Sequence, residues 1–226
     1  MNAIKKIGLL CLILFTMPVI AANEDFMEGR DYTHLSKNIR TQSAVTNLIK
    51  RDPHQVQVLL FFNYGCSACA KLEPKFEQWV SSQQNNTEVV VYRFPVGYQD
   101  QWNMFSKLYF VMMDIEPKKN LNEKIFDAVH NRNLKLWQEE EMRNFFIANG
   151  YQAKHFDTVF NSPQIEEQVK YSEKIANAYA IAGTPMIVIN GVNSSYLLSI
   201  DQADSVERLC EVLNYLVAKE TASNSY

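Results

Sequence analysis

Two short apolar runs, Val56–Phe62 and 88–94, constrain this chain's fold more than any other feature. Each is rich in β-branched and aromatic residues without polar alternation, the first reading as a buried central strand and the second as another buried strand. Between them, Leu72, Phe76, Trp79 and Val80 recur at helical spacing over 66–80. Strand, helix, strand in that order forms a parallel, right-handed unit by default. Pro74 lies inside the helical stretch and is expected to kink it.

The junction between the first strand and the helix carries the chemistry. Cys66-Ser67-Ala68-Cys69 places two thiols three positions apart on the opening turn of a helix. At that spacing the sulfurs can bond, and the helix N-terminus favours a thiolate, the reactive form. A lone CxxC also occurs in zinc sites and haem attachment. Zinc would need two further ligands at similar spacing, and neither a second CxxC nor HxxxH is present. Haem attachment needs histidine after the second cysteine, where Ala70 stands. A redox dithiol with no metal and no bound cofactor is the remaining reading.

The N-terminus bears on the redox compartment. Lys5 and Lys6 precede an apolar stretch from Ile7 to about Met17, followed by Val19-Ile20-Ala21-Ala22. That is the order of a cleavable export signal over 1–22, too short to span a bilayer comfortably. Residues 23–226 then form the expected mature single domain, and a bacterial periplasm is the expected location. Cys11 would be lost with the leader, leaving three of the four cysteines, too few for a disulfide scaffold. A composition with 47% hydrophobic and 21% charged residues supplies an ordinary core instead. A net charge of −3 and no basic cluster argue against a nucleic-acid partner.

Elsewhere the pattern is helical, then sheet-like. Residues 99–182 contain no convincing strand and five apolar stripes at helical spacing, marked by Trp102 to Met113, Ile125 to Val129, Met142 to Ala148, Phe156 to Phe160 and Ile165 to Tyr179. This reads as an inserted helical subdomain. Glu139-Glu140-Glu141 suit a solvated first helical turn, and Met112-Met113 suit core packing. Met186 to Ile189 then reads as a strand, Asn190-Gly191 as a two-residue hairpin turn, and 192–200 as the return strand. A terminal helix follows over 201–219, with Cys210 on its apolar stripe as an inert small hydrophobe. The N-terminal region offers an edge strand at Tyr32-Thr33-His34-Leu35 and a short helix at 44–50. His34, His54, His130 and His155 all fall in polar contexts and read as solvated.

Gly183-Thr184-Pro185 immediately precedes the hairpin strand. A proline there is tolerable at a strand start or in cis geometry. With the CxxC unit upstream and a hairpin plus helix downstream, the order resembles an α/β, thioredoxin-like fold with an inserted helical subdomain. Thr184-Pro185 matches that fold's cis-proline position, and Pro74 matches a helix-kink proline found in such proteins.

The closer resemblance is to the DsbA family of bacterial periplasmic thiol:disulfide oxidoreductases. It rests on Glu28-Gly29-Arg30-Asp31-Tyr32, Phe61-Phe62-Asn63-Tyr64-Gly65-Cys66, the helical insertion, and Gly183-Thr184-Pro185 through Asn190-Gly191, and covers nearly the whole mature chain. The resemblance implies an enzyme that introduces disulfide bonds into exported proteins. Cys66 would be its exposed nucleophile, Cys69 its buried partner, and Thr184 and Pro185 the loop that receives substrate backbone. It also implies reduced exported proteins as substrates and an inner-membrane, quinone-linked oxidase as reoxidising partner. A monomer is expected, since the 33 or so residues before the first core strand are too few for the dimerisation domain of periplasmic isomerases. Isomerase or reductase activity is the nearest alternative, and a non-catalytic chaperone or metal carrier a more distant one.

The chain departs from that family in three places. Ser67 and Ala68 stand where many members carry proline and histidine, so no cation assists the thiolate from within the motif. Each pKa unit lost weakens the reduced form by roughly 1.4 kcal/mol, or about 30 mV, and a milder oxidant is expected. Leu60 occupies a strand position where relatives often bury an acid. Thr184 is a residue type also found before the proline in isomerases and reductases of the superfamily.

Overall fold

A computed structural model describes residues 26–36, 49, 52, 54–116, 121–191 and 194–223. The expected export signal at 1–22, and all but Ile49 of the expected helix at 44–50, lie outside the described residues.

One five-stranded sheet runs in the order β1-β5-β4-β2-β3, with β1 Thr33–His34, β2 Val56–Phe62, β3 Val89–Pro95, β4 Met186–Asn190 and β5 Ser195–Ser199. The two apolar runs pair in parallel, Val58 opposite Val91 and Phe61 opposite Phe94, but β3 is the sheet's edge strand and, against expectation, only Phe94 and Pro95 of it are buried. β4 lies antiparallel along the other side of β2, so β2 has strands on both flanks. Every residue of β2 is buried because both faces are covered. Val56, Val58, Leu60 and Phe62 join the larger apolar cluster, while Leu59 and Phe61 pack with Phe94, Ile175 and Tyr179 on the opposite face. That two-sided burial explains a continuous apolar run rather than an alternating one.

Helix α1, Ser67–Ser82, connects β2 to β3 and contains Pro74. Five helices then separate β3 from β4: α2 Asp100–Ile115, α3 Asn122–His130, α4 Glu139–Ala148, α5 Ala153–Phe160 and α6 Pro163–Ala178. Phe105, Phe146 and Phe156 of this segment share one apolar cluster with Phe62 and Phe76. Sheet and helical segment therefore pack as a continuous core. Among the described residues, no helix is long and apolar enough to cross a membrane.

The C-terminal third differs from expectation in two places. β4 extends through Asn190 and β5 begins at Ser195, so the connection is 191–194 rather than a two-residue Asn-Gly turn. Asn190 is a buried strand residue whose side chain donates to Tyr179 Oη (2.7 Å) and accepts from Ser195 Oγ (2.9 Å). A Cβ at Gly191 would collide with the Glu220 carboxylate, so close approach is what requires glycine there. The terminal helix is also divided, into α7 Ile200–Ala203 and α8 Val206–Ala222. Asp204 adopts a left-handed conformation, and Ser205 caps the new helix by accepting from the Arg208 amide at 3.1 Å.

Candidate active site

The site begins with how β2 ends. After Phe62 the chain turns through Asn63-Tyr64-Gly65 and enters α1 at Cys66. Asn63 is 1% exposed and holds this turn together. Its Nδ2 donates to the carbonyls of Val96 (2.7 Å) and Trp102 (3.2 Å), and its Oδ1 accepts from the Gly65 amide at 2.8 Å. Gly65 is confined as well: a Cβ there would meet the Phe105 ring at 3.0 Å and Asn63 Oδ1 at 3.3 Å. Tyr64 is wholly buried, with its hydroxyl bonded to Asn122 Oδ1.

Cys66 is the N-cap of α1 rather than a residue of its first turn. It has extended backbone geometry, and its Sγ accepts from the Cys69 amide at 3.1 Å, the place a serine or aspartate oxygen usually takes. The sulfur thus sits where helix amides are unpaired and the dipole is positive. A side-chain hydrogen bond from Cys69 is the largest influence, and bonding from the Thr184 side chain and the Cys69 and Ala68 amides adds to it. Against the opposing effect of burial, these lower the Cys66 thiol from 9.0 to about 6. Cys69 moves the other way, well above the usual thiol range, because it is buried and because Cys66 faces it. One cysteine of the pair is therefore a thiolate at neutral pH and the other a thiol.

The Thr184–Pro185 peptide is cis, and the Thr184 carbonyl lies 3.2 Å from Cys66 Sγ, within reach of the neutral thiol as donor. Four of the residues singled out in the sequence thus meet at one point, although Cys66 and Thr184 are 118 positions apart. Ser67 is exposed at the helix start and Ala68 half-buried. Cys66 is more covered than an exposed nucleophile implies, 8% exposed against 3% for Cys69, because the loop before Pro185 lies over its sulfur.

Three further residues escaped the sequence reading. Leu60 is in the apolar core, but a buried carboxylate does stand near the dithiol: Glu73, one helical turn after Cys69 and 2% exposed. Arg93 of β3 donates to Glu73 Oε2 at 2.9 Å, pairs also with Glu77, and lies over the Phe76 ring. Burial nonetheless raises the Glu73 carboxyl above its ordinary value. An arginine inside an apolar strand was the available signal, since buried arginine needs a carboxylate partner. His130 is the third, and it is not a solvated histidine. Its Nε2 lies 2.8 Å from the Tyr64 carbonyl and its ring stacks on Phe126, in the wall of a cleft that reaches Ser67. Cys210 is half-buried on α8 against the core, and burial raises its thiol, consistent with a packing role.

A thiolate at a helix N-cap, a protonated thiol three residues on and a cis-proline loop across the sulfur define a thiol:disulfide oxidoreductase built on a thioredoxin-like sheet. Comparison with known proteins gives the family. Residues 57–214 match the DSBA-like thioredoxin domain. The thiol:disulfide interchange protein DsbA of Pseudomonas aeruginosa is 28% identical over 222 residues, covering 98% of both chains. DsbA of Burkholderia cepacia is 31% identical over 163 residues, 72% of this chain and 74% of that one. The crystal structure of Pseudomonas aeruginosa DsbA superposes with a TM-score of 0.76 at 27% identity, covering 90% of this chain and 99% of that one. The chain belongs to the DsbA-like thioredoxin family, and it is a thiol:disulfide oxidoreductase that acts on protein substrates by disulfide exchange.

Proposed function

We propose that this chain is an exported dithiol oxidase of the bacterial periplasm, made with a cleavable signal at 1–22 and working as a single-domain monomer of residues 23–226. In its oxidised form Cys66 and Cys69 are joined. A substrate thiolate attacks Cys66 Sγ, the Cys66–Cys69 bond breaks, and Cys69 leaves with the electron pair and takes up a proton. A second substrate thiol loses its proton and attacks the substrate sulfur of the mixed disulfide. The substrate departs with its own disulfide, and Cys66 is released as a thiolate. Two electrons pass from substrate to protein, and a membrane-bound, quinone-linked oxidase removes them to reset the cycle. Thr184 and Pro185 receive the substrate backbone beside the reacting sulfur.

The lowered Cys66 thiol carries this reading. A good leaving group at neutral pH favours the reduced protein, and that preference drives oxidation of substrate. Support for the location comes from the basic, apolar, Ala-Ala order of the leader. The test is oxidation of a reduced two-cysteine peptide by the full chain. Cys66→Ser is expected to abolish turnover, and Cys69→Ser, given the same peptide in its disulfide form, to accumulate a mixed disulfide at Cys66 as the peptide's other sulfur leaves as a thiolate, read by mass spectrometry. Turnover retained in Cys66→Ser rejects the assignment. Faster repair of a scrambled disulfide protein than oxidation of the peptide would make the chain an isomerase instead.

A further inference from the structure

Helix α3 sets three of its residues against Tyr64, which stands two positions before Cys66. Asn122, Phe126 and His130 recur every fourth residue from the first to the last position of that helix, so they form one stripe. Asn122 Oδ1 accepts from the Tyr64 hydroxyl, the Phe126 ring meets the Tyr64 ring edge-on at 4.9 Å between centroids, and His130 Nε2 lies 2.8 Å from the Tyr64 carbonyl. One helix therefore grips this tyrosine by its hydroxyl, its ring and its backbone.

The backbone contact bears on the chemistry. Tyr64 is 0% exposed, so solvent does not reach its carbonyl, and no other donor among the described residues does. A carbonyl only accepts, so Nε2 carries the proton, as it does in both the Nε2–H tautomer and the imidazolium. The bond therefore persists in either charge state of the ring, whatever the influence of Glu123 and Asp127 on α3 and of Lys71 and Glu73 across the cleft on α1. Stacking on Phe126, at 6.1 Å and 24°, fixes the ring that makes it.

The rest of the turn has little slack. The Asn63 carbonyl accepts from the Cys66 amide at 3.1 Å, Asn63 Oδ1 accepts from the Gly65 amide at 2.8 Å, and Gly65 is confined by Phe105. Without His130 the Tyr64 carbonyl is a buried acceptor with no donor, a costly state that rotation of the Tyr64–Gly65 peptide relieves. Cys66 follows Gly65 directly, and its Sγ must stay 3.1 Å from the Cys69 amide for the N-cap bond to hold.

We propose that His130 is a positioning residue for disulfide exchange, which seats Cys66 at the N-cap of α1 by holding the Tyr64 carbonyl. It acts through the backbone, and no proton or electron passes through it. The inference rests on the disulfide-exchange reading of Cys66, and it makes the inserted helical segment part of what stabilises the thiolate.

The test compares the full chain with His130→Phe, which keeps a ring on Phe126 but has no donor, and His130→Gln, which restores an N–H donor. Thiolate absorbance of the reduced proteins gives the Cys66 midpoint, and urea unfolding gives their stability. His130→Phe is expected to raise the midpoint by about one pH unit, one hydrogen bond's worth, while His130→Gln stays within about 0.3 of the unaltered protein. At pH 8 the glutathione equilibrium of His130→Phe should move about tenfold toward the disulfide form. A purely structural contact would lower the urea midpoint and leave the thiolate midpoint in place, and that result overturns the proposal. So does a His130→Gln midpoint as high as that of His130→Phe. Nitrogen NMR of the unaltered protein keeps the test independent of how the variants fold: a neutral His130 ring with its proton on Nδ1 also overturns it. If the unaltered chain forms no mixed disulfide at Cys66, the exchange reading fails and this role falls with it, whereas normal exchange with an unshifted His130→Phe midpoint removes the role alone.

Discussion

Titrating the reduced protein tests the electrostatics of the dithiol directly. The N-cap placement lowers Cys66 from 9.0 to about 6, whereas Cys69 stays protonated throughout the accessible range. A depressed acid stabilises the folded reduced state above its folded pKa, the gain growing until the unfolded pKa and vanishing as pH falls through the folded one. The gain is therefore near zero below pH 6. By pH 7 it is on the order of 1 kcal/mol after allowing for solvent screening, a few tens of millivolts of added oxidising power at most, and it grows toward pH 9. Proton counting sharpens this. Below pH 6 reduction takes up two protons with two electrons, and the potential falls by about 59 mV per pH unit. Above it only Cys69 binds a proton, and the slope halves to about 30 mV. Equilibration against glutathione at a series of pH values, alongside the ultraviolet absorbance of the thiolate, reads both quantities. A single steep slope from pH 5 to pH 8, or a thiolate midpoint near 9, would refute the idea that the Cys69 hydrogen bonds hold the Cys66 thiolate.

Two other predictions concern the residues behind the dithiol. Asn63→Ala removes one acceptor and two donors from the turn before Cys66, and stability is expected to fall by about 2 to 3 kcal/mol in urea, with slower mixed-disulfide formation. A loss under about 0.5 kcal/mol would mean that the turn is held elsewhere. Arg93→Met leaves Glu73 and Glu77 without their shared cation, and about 3 to 5 kcal/mol should be lost at pH 7. Because the penalty belongs to the ionised carboxyl and burial already raises Glu73, the deficit should shrink as pH falls toward the ordinary carboxyl value, and adding Glu73→Gln should restore part of it. A deficit independent of pH and unmoved by the second substitution would show that Arg93 acts only through packing on Phe76.

Much of the architecture could be read from local pattern. Val56–Phe62 announced a doubly covered strand, and each apolar stripe between Trp102 and Tyr179 became a helix, because periodicity is set by which face of an element is buried. Asn190-Gly191 marked the β4–β5 hairpin correctly but not its loop length. Its composition is that of a tight turn, but β4 runs on through Asn190, and a tertiary neighbour, Glu220 on α8, is what requires glycine at 191. The break at Asp204-Ser205 lies before the apolar stripe, which begins at Val206, and rests on the left-handed Asp204 and the Ser205 cap.

By itself the sequence determined that a dithiol stands where a buried strand gives way to a helix, and that Thr184-Pro185 immediately precedes a later strand. These are statements about neighbours along the chain. Only the tertiary structure decided what surrounds the sulfur: Thr184 brought across 118 positions, Arg93 placed against Glu73, and His130 carried by the helical insertion to the Tyr64 carbonyl. Spacing along a chain specifies which face a residue occupies, whereas a thiol's ionisation depends on donors, burial and charges within a few ångströms, and those come from elements whose distance in sequence carries no local signal.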